Sequence, residues 1–315
     1  MTDAFSTFMS QPRHPPSAVA FGNFDGVHVG HRALLAEIGR ISAERAYQTT
    51  AVTFDPHPLE LVNPERAPRS LDTLQWRRWW LQAVGADHVE VLKFDEQLRG
   101  RSAEWFAEEI LFGVLNAKLL VVSDESRFGH QGRGDISLLR EMAPRFGAEV
   151  LRCEAVLHGG RAVSSSRLRR LVEAGEIGLV NEMLKRRFAL RGVVIHGDAR
   201  GREIGFPTAN LEIGKQVQPA TGVYAGWLVR QEPGEPERWR CPAVCNIGVR
   251  PTVGGERWQV EAHAIDWSGD LYGQRLSLEL ERRIRGERKF ESFELLARQI
   301  ERDRDQARDI LTEQR

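Results

Sequence analysis

At 315 residues with 41% hydrophobic side chains, the chain is long enough for two modest cores and too apolar to be disordered. Lys+Arg and Asp+Glu both number 44, so a formal net charge of zero removes any global field favouring nucleic acid or a membrane, and anion sites must be built residue by residue. Three cysteines (Cys153, Cys241, Cys245), no signal-peptide core in the first 16 residues and no run of 18 apolar residues point to a cytoplasmic protein of small buried thiols, not a disulfide framework or a membrane span.

Residues 17–21 predict a buried strand, and Ala33, Leu34, Ile38 and Ile41 mark the apolar stripe of a helix that begins near His28. Between them Phe21-Gly22-Asn23-Phe24-Asp25-Gly26-Val27-His28-Val29-Gly30-His31 places two histidines at the helix start. Backbone N–H groups and the helix dipole gather there and favour an anion. Two imidazoles three residues apart can donate to phosphoryl oxygens on one side, and Gly30 leaves room for a nucleotide to approach. Spacing alone leaves three readings open: a phosphate site, ordinary polar residues at a helix start, or half of a metal site without an obvious third ligand.

Further short apolar runs at 51–54, 88–92, 119–122 and 149–151 alternate with helical stretches at 71–84, 104–115 and 136–146. This alternation predicts a parallel sheet with helices on both faces and ligands beyond the carboxyl ends of its strands. Asp55-Pro56-His57-Pro58 follows the second strand as a proline-stiffened loop holding His57. Trp76, Trp79 and Trp80 read as core and packing residues ahead of a flavin-stacking surface. The polar stretch 123–135, with Glu125 and Phe128, reads as a loop covering a ligand. At 163–169 three serines start a helix; alone they are caps, and with Arg167 and Arg169 they make a phosphate clamp.

A charged helical segment, 171–187, leads into a different composition. Strand-like runs at 188–195, 223–230, 239–247, 259–267 and 275–280 follow one another without helices, which predicts an antiparallel barrel. The end of the chain, with Phe293, Leu296, Ile300, Ala307 and Leu311 on one face, predicts an amphipathic helix packed on it. Within the barrel, 196–210 is rich in glycine (Gly197, Gly201, Gly205) and ends Phe206-Pro207-Thr208-Ala209-Asn210. Glycines let backbone approach phosphates, and the Thr208 and Asn210 oxygens suit Mg²⁺. No GxxxxGK[ST] occurs, which excludes a P-loop kinase. Asn246, Arg250 and Thr252 sit in a second polar turn. Glu261, two residues from His263 on a strand, can serve as general base towards a primary alcohol or face outward as an ordinary surface carboxylate.

The ordered pair Phe24-Asp25-Gly26-x-His28-x-Gly30-His31 and Ser164-Ser165-Ser166-x-x-Arg169 resembles the HxGH and SSTxxR motifs of the nucleotidyltransferase superfamily. With Thr53-Phe54-Asp55-Pro56-His57-Pro58 it is similar to the FMN adenylyltransferase module of bacterial bifunctional riboflavin kinase/FAD synthetases. Gly205-Phe206-Pro207-Thr208-Ala209-Asn210, Asn246-Ile247-Gly248 with Arg250-Pro251-Thr252, Glu261-Ala262-His263 and Asp270-Leu271-Tyr272-Gly273 resemble the riboflavin kinase module in the same order. The resemblance implies a Rossmann-like nucleotidyltransferase domain with linker helices over 1–187 and a β-barrel kinase domain with a C-terminal helix over 188–315. It implies His28 and His31 at the ATP α-phosphate, with Gly22, Asn23, Asp25 and Gly30 around them, and Ser164, Ser165, Ser166, Arg167 and Arg169 on the departing pyrophosphate. His57, Glu125 and Phe128 then belong to the FMN and nucleotide loops. In the kinase it implies Gly197, Gly201, Gly205 and Pro207 around ATP, Thr208 and Asn210 on Mg²⁺, Asn246, Arg250 and Thr252 on the flavin side, and Glu261 as the base.

The substrates and products would be riboflavin, FMN, FAD and ATP, small molecules only, with no nucleic acid or membrane partner; a homo-oligomer is left open. Where the family usually shows Gly-x-Asp-Phe-x-Phe-Gly, this chain has Ser123-Asp124-Glu125-Ser126-Arg127-Phe128-Gly129, with Ser126 at an aromatic position. That departure keeps a monofunctional riboflavin kinase as an alternative, with a flavin-binding regulatory protein behind it.

Overall fold

The structure, a computed structural model, describes residues 8–10, 13–197, 205–252 and 255–313, and side chains there except those of 250–252 and 255–257. Gly201 lies outside the described residues, as do the side chains of Arg250 and Thr252. The chain divides into two compact units, Met1–Pro68 with Leu74–Ser164, and Arg69–Thr73 with Ser165–Arg315.

The first unit contains β1 (Ser17–Phe21), α1 (Val29–Arg45), β2 (Gln48–Asp55), α2 (Leu74–Ala83), β3 (His88–Lys93), β4 (Ala117–Ser123), α3 (Ile136–Met142) and β5 (Glu149–Cys153). The five strands are parallel in the order β3-β2-β1-β4-β5. Strand alternation explains the two cores. Val19, Phe21, Val52, Leu92, Leu120 and Val122 point to one face, where Phe106, Ile110 and Leu111 cover them. Ala18, Ala20, Ala51, Leu119 and Val121 point to the other, and the three alanines among them let Leu34, Leu35 and Ile38 of α1 come close. The expected helix at 104–115 is π-helical over Phe106–Val114. A two-stranded hairpin, β6 (Leu157–His158) and β7 (Arg161–Ala162), closes the unit.

The second unit begins with α4 (Ser165–Glu173) and α5 (Ile177–Leu184). It continues with β8 (Phe188–Ile195), β9 (Ala209–Glu212), β10 (Gly222–Arg230), β11 (Trp239–Thr252), β12 (Gly255–Ala264), β13 (Arg275–Arg285) and α6 (Phe293–Thr312). The six strands close into an antiparallel barrel in the order β10-β11-β12-β9-β8-β13. Asn181 of α5 donates from Nδ2 to Leu280 O (2.9 Å) and accepts from Phe188 N (2.7 Å), so the linker helix is pinned to the barrel. Ala307, Ile310 and Leu311 of α6 pack on Val223, Ala225, Trp227 and Val244, one face of β10 and β11. Phe293, expected on that apolar face, is 71% exposed, because the packed surface starts only further along α6, at Asp303.

Candidate active sites

In the first unit the loop after β1 turns sharply into α1. Phe24 (φ 48°), Gly26 (φ 82°) and Val27 (φ 39°) are all left-handed, a conformation costly for the two non-glycine residues and sustained by their burial. The turn buries Asp25 and sets His28, also buried, at the N-cap of α1. The rings of His28 and His31 stack with centroids 3.7 Å apart and planes at 18°, and Phe24 meets His31 edge-on at 5.1 Å. A Cβ on Gly30 would stand 3.1 Å from His28 Cε1, so the missing side chain makes room for the imidazole stack itself, where the sequence suggested room for a nucleotide. Desolvation, then the neighbouring His28, push the His31 pKa well below the usual 6.5. The His31 imidazole is therefore neutral at neutral pH.

Around this turn the polar contacts are specific. The Asn23 amide lies 3.0 Å from His57 Nε2, while His57 Nδ1 accepts from Leu59 N at 3.1 Å. His57 thus joins the loop after β1, through the Asn23 side-chain amide, to the loop after β2. Gly22 N donates to Val52 O, tying the end of β1 to β2. Arg77 of α2, buried in a helix of tryptophans, was not singled out by the sequence: its Nη1 donates to Asn23 O (2.8 Å) and reaches Phe54 O and Thr53 Oγ1 (both 3.3 Å). One guanidinium thus fixes the loops after β1 and β2 together.

The remaining expected residues divide. Phe128 is buried against Phe21 and Phe106 as part of the core, and Glu125 is exposed in a turn closed by Ser123 Oγ and Ser126 Oγ, 3.1 Å apart. Ser164 ends the first unit; Ser165, Ser166, Arg167 and Arg169 open α4 in the second, where Arg169 Nε donates to Arg69 O at 2.9 Å.

In the second unit register does the gathering. Asn246 of β11 stands opposite Glu261 of β12, and Glu261 opposite Asn210 of β9. Directly paired residues share a face, so the three polar side chains form one row across three strands. Gln259, two residues before Glu261 and unremarked from sequence, donates from Nε2 to Glu261 Oε1 (2.6 Å) and to Asn210 Oδ1 (3.1 Å), holding both acceptors together. His263 Nδ1 lies 2.8 Å from Pro207 O and donates to it, which fixes the strand leading to Thr208. Gly197 is required for close approach: a Cβ there would lie 2.2 Å from Asn210 Nδ2. Gly205 takes φ 82° in the exposed turn before Phe206.

On the opposite face of β9 and β12, Ala209, Ala262 and Ala264 line a cavity of about 290 Å³ with Val194, Leu271 and Tyr272. Pro207 and Thr208 also line it, with the more polar Ser268 and Asp270. The Tyr272 ring stacks on His196 at 3.9 Å.

A family model described as FAD synthetase matches residues 10–167, and one described as riboflavin kinase matches 184–311. The bifunctional riboflavin kinase/FMN adenylyltransferase of Escherichia coli (strain K12) is 37% identical over 302 residues, 96% of this chain and 95% of that one. The Bacillus subtilis (strain 168) protein of the same name is 32% identical over 297 residues, 92% of this chain and 91% of that one. A solved structure from Streptococcus pneumoniae, described as a macrolide-efflux protein, superposes with a TM-score of 0.85 at 27% identity, over 95% of this chain and 96% of that one. Among the described residues no helix is long and apolar enough to cross a membrane. With a nucleotidyltransferase-type sheet and a closed barrel in the matched order, and relatives of one name along nearly its whole length, the chain belongs to the bifunctional riboflavin kinase/FMN adenylyltransferase family.

Proposed function

We propose that the chain makes FAD from riboflavin in two ATP-dependent steps, phosphorylation to FMN by the barrel (188–315) and adenylyl transfer to FMN by the α/β domain (1–187). The observation that carries this reading is the row Asn246–Glu261–Asn210 with Gln259 clamping Glu261. A base and a neutral oxygen ligand share one face of the barrel wall there, and Thr208, just ahead of β9, lines the recess on the other face.

In the kinase step Glu261 removes the proton from the ribityl 5′-hydroxyl as its oxygen attacks the γ-phosphorus, and ADP leaves. Gln259 keeps the carboxylate aimed while Asn246 orients the flavin side with Arg250 and Thr252. The oxygens of Thr208 and Asn210 are hard neutral donors that fit Mg²⁺, which when bound would neutralise the phosphates. Gly197, Gly201, Gly205 and Pro207 line the ATP approach. In the transferase step the FMN phosphate is already ionised and attacks the α-phosphorus of ATP directly. His28 and His31 donate N–H bonds to the oxygens that gain charge, and the Ser164-Ser165-Ser166 segment with Arg167 and Arg169 takes the departing pyrophosphate. Gly22, Asn23, Asp25 and His57 shape the pocket, and Glu125 lies on the flavin and nucleotide loop. The chain works in the cytoplasm on small molecules.

The test is a chromatographic time course with riboflavin, ATP and Mg²⁺, run in parallel from FMN. FMN followed by FAD is the expected result. FMN accumulating with no FAD from either start would leave a kinase carrying an N-terminal domain of another purpose. In the active enzyme, changing His28 and His31 to Ala should stop FAD formation and spare FMN formation.

A further inference from the structure

At the other end of the parallel sheet, His14, ahead of β1, meets His88 and Glu90 of β3, with a ligand atom of each within 4.8 Å of the others. His88 Nε2 lies 2.8 Å from Glu90 Oε2, and the His14 ring stands edge-on to His88 with centroids 5.1 Å apart at 72°. Two-residue spacing on an extended strand puts His88 and Glu90 on the same face, and β3 is an edge strand. The cluster sits where the strands begin, whereas the nucleotide loops follow the strand ends. Strands five residues long or more, at about 3.3 Å per residue, separate the two by roughly 15 Å. The cluster is therefore no part of the transferase site.

His14 is held in place independently of its ring. Its N–H donates to Val114 O (2.9 Å), and its carbonyl accepts from Asn116 Nδ2 (3.0 Å). Its ring is thereby presented to His88 and Glu90 by the backbone alone. A simple ion pair needs only His88 and Glu90. A second imidazole beside them is not needed for that pair, but it completes a set of two nitrogens and one carboxylate oxygen. Zinc sites with an open fourth position use that set, while magnesium and calcium prefer oxygen alone. All three residues are partly exposed, Glu90 less than His88, and small rotations bring the ligand atoms to the roughly 3.3 Å spacing that zinc bonds of about 2.0–2.1 Å require.

We propose that His14, His88 and Glu90 form a three-ligand binding site, with an open fourth position, for a divalent transition cation of the zinc class, which would link the segment ahead of β1 to the edge strand β3. The site is separate from both sites of Mg²⁺-ATP chemistry.

The test uses the full-length protein stripped with a chelator and titrated, without nucleotide, with Zn²⁺ by calorimetry and with Co²⁺ by visible absorption. About one equivalent should bind, with the spectrum of low-coordinate cobalt, and Zn²⁺ should raise the melting temperature. His14→Ala, at a half-exposed position, and Glu90→Gln, which keeps the side-chain shape, should each weaken binding at least about tenfold. Both variants should abolish the thermal shift and leave both Mg²⁺-dependent activities unchanged. Absence of stoichiometric binding by the wild type, or wild-type affinity in either variant, would overturn the proposal.

Discussion

Glu261 has the chemistry of a base only because other side chains aim it. Gln259 holds one carboxylate oxygen, and strand register sets Asn210 and Asn246 on either side. Glu261→Gln keeps the shape and removes the proton acceptor. Its kinase turnover should fall by about 10²–10⁴-fold, typical of a lost general base, while flavin binding measured by fluorescence is retained. Gly197→Ala should push the Asn210 amide out of the row, lowering kinase turnover and leaving adenylyl transfer from supplied FMN intact. His31 tests the other half through pH. Its folded pKa lies below the usual 6.5, so as pH falls through 6.5 the unfolded imidazole takes a proton that the folded one refuses. Stability from this group is therefore full above pH 6.5 and declines below it, at up to about 1.4 kcal/mol per pH unit. Chemical denaturation on either side of pH 6.5 should show that decline, and His31→Gln should flatten it. An arriving polyphosphate would favour the imidazolium, so nucleotide binding on the acid side should take up a proton.

Among elements, β1 and α1 were the most legible, because a five-residue apolar run, a glycine turn and a 3.6-residue stripe each state their own geometry. The alternation that gave the parallel sheet, and the unbroken strands that gave the barrel, were legible for the same reason. Other elements were not. Arg250-Pro251-Thr252 carried turn signals, yet β11 runs on to Thr252 because β12 pairs with it as far as Gly255. Strand β9 is four residues long and is defined by its partners on β8 and β12, which local periodicity does not reveal. Arg77 was hidden for another reason: a cation on a helix reads as solvated unless one knows that two loops end over it. Its three carbonyl and hydroxyl contacts make a direct prediction. Arg77→Met should loosen both loops and lower FAD formation by one to two orders of magnitude, roughly the cost of misplaced catalytic geometry, with FMN formation untouched. Gln259 and His263 were within reach, since a Gln-x-Glu-x-His repeat of period two already places them beside the base.

For the molecule as a whole, five residues from the middle of the first sequence domain belong to the barrel unit. Within Arg69–Thr73, Ser70 bridges to Gln216, and buried Asp72 accepts from Arg186 at 2.5 Å and from Arg191. Arg191 is itself buried, and burial pulls its pKa down against the attraction of Asp72. Removing one partner of a buried pair leaves uncompensated charge, at a cost of about 3–5 kcal/mol. Asp72→Asn should therefore lower the unfolding midpoint of the barrel in a denaturant titration followed by tryptophan fluorescence. The same threading means that the two family domains, consecutive in sequence at 10–167 and 184–311, cannot be separated with one cut. A kinase fragment starting at residue 165 or 184 would keep Arg186 and Arg191 and lose their carboxylate, while the excised first half would carry an orphan strap. Genetic dissection should favour a circularly rearranged chain, or a fragment supplied with a peptide spanning Arg69–Thr73, over simple truncation.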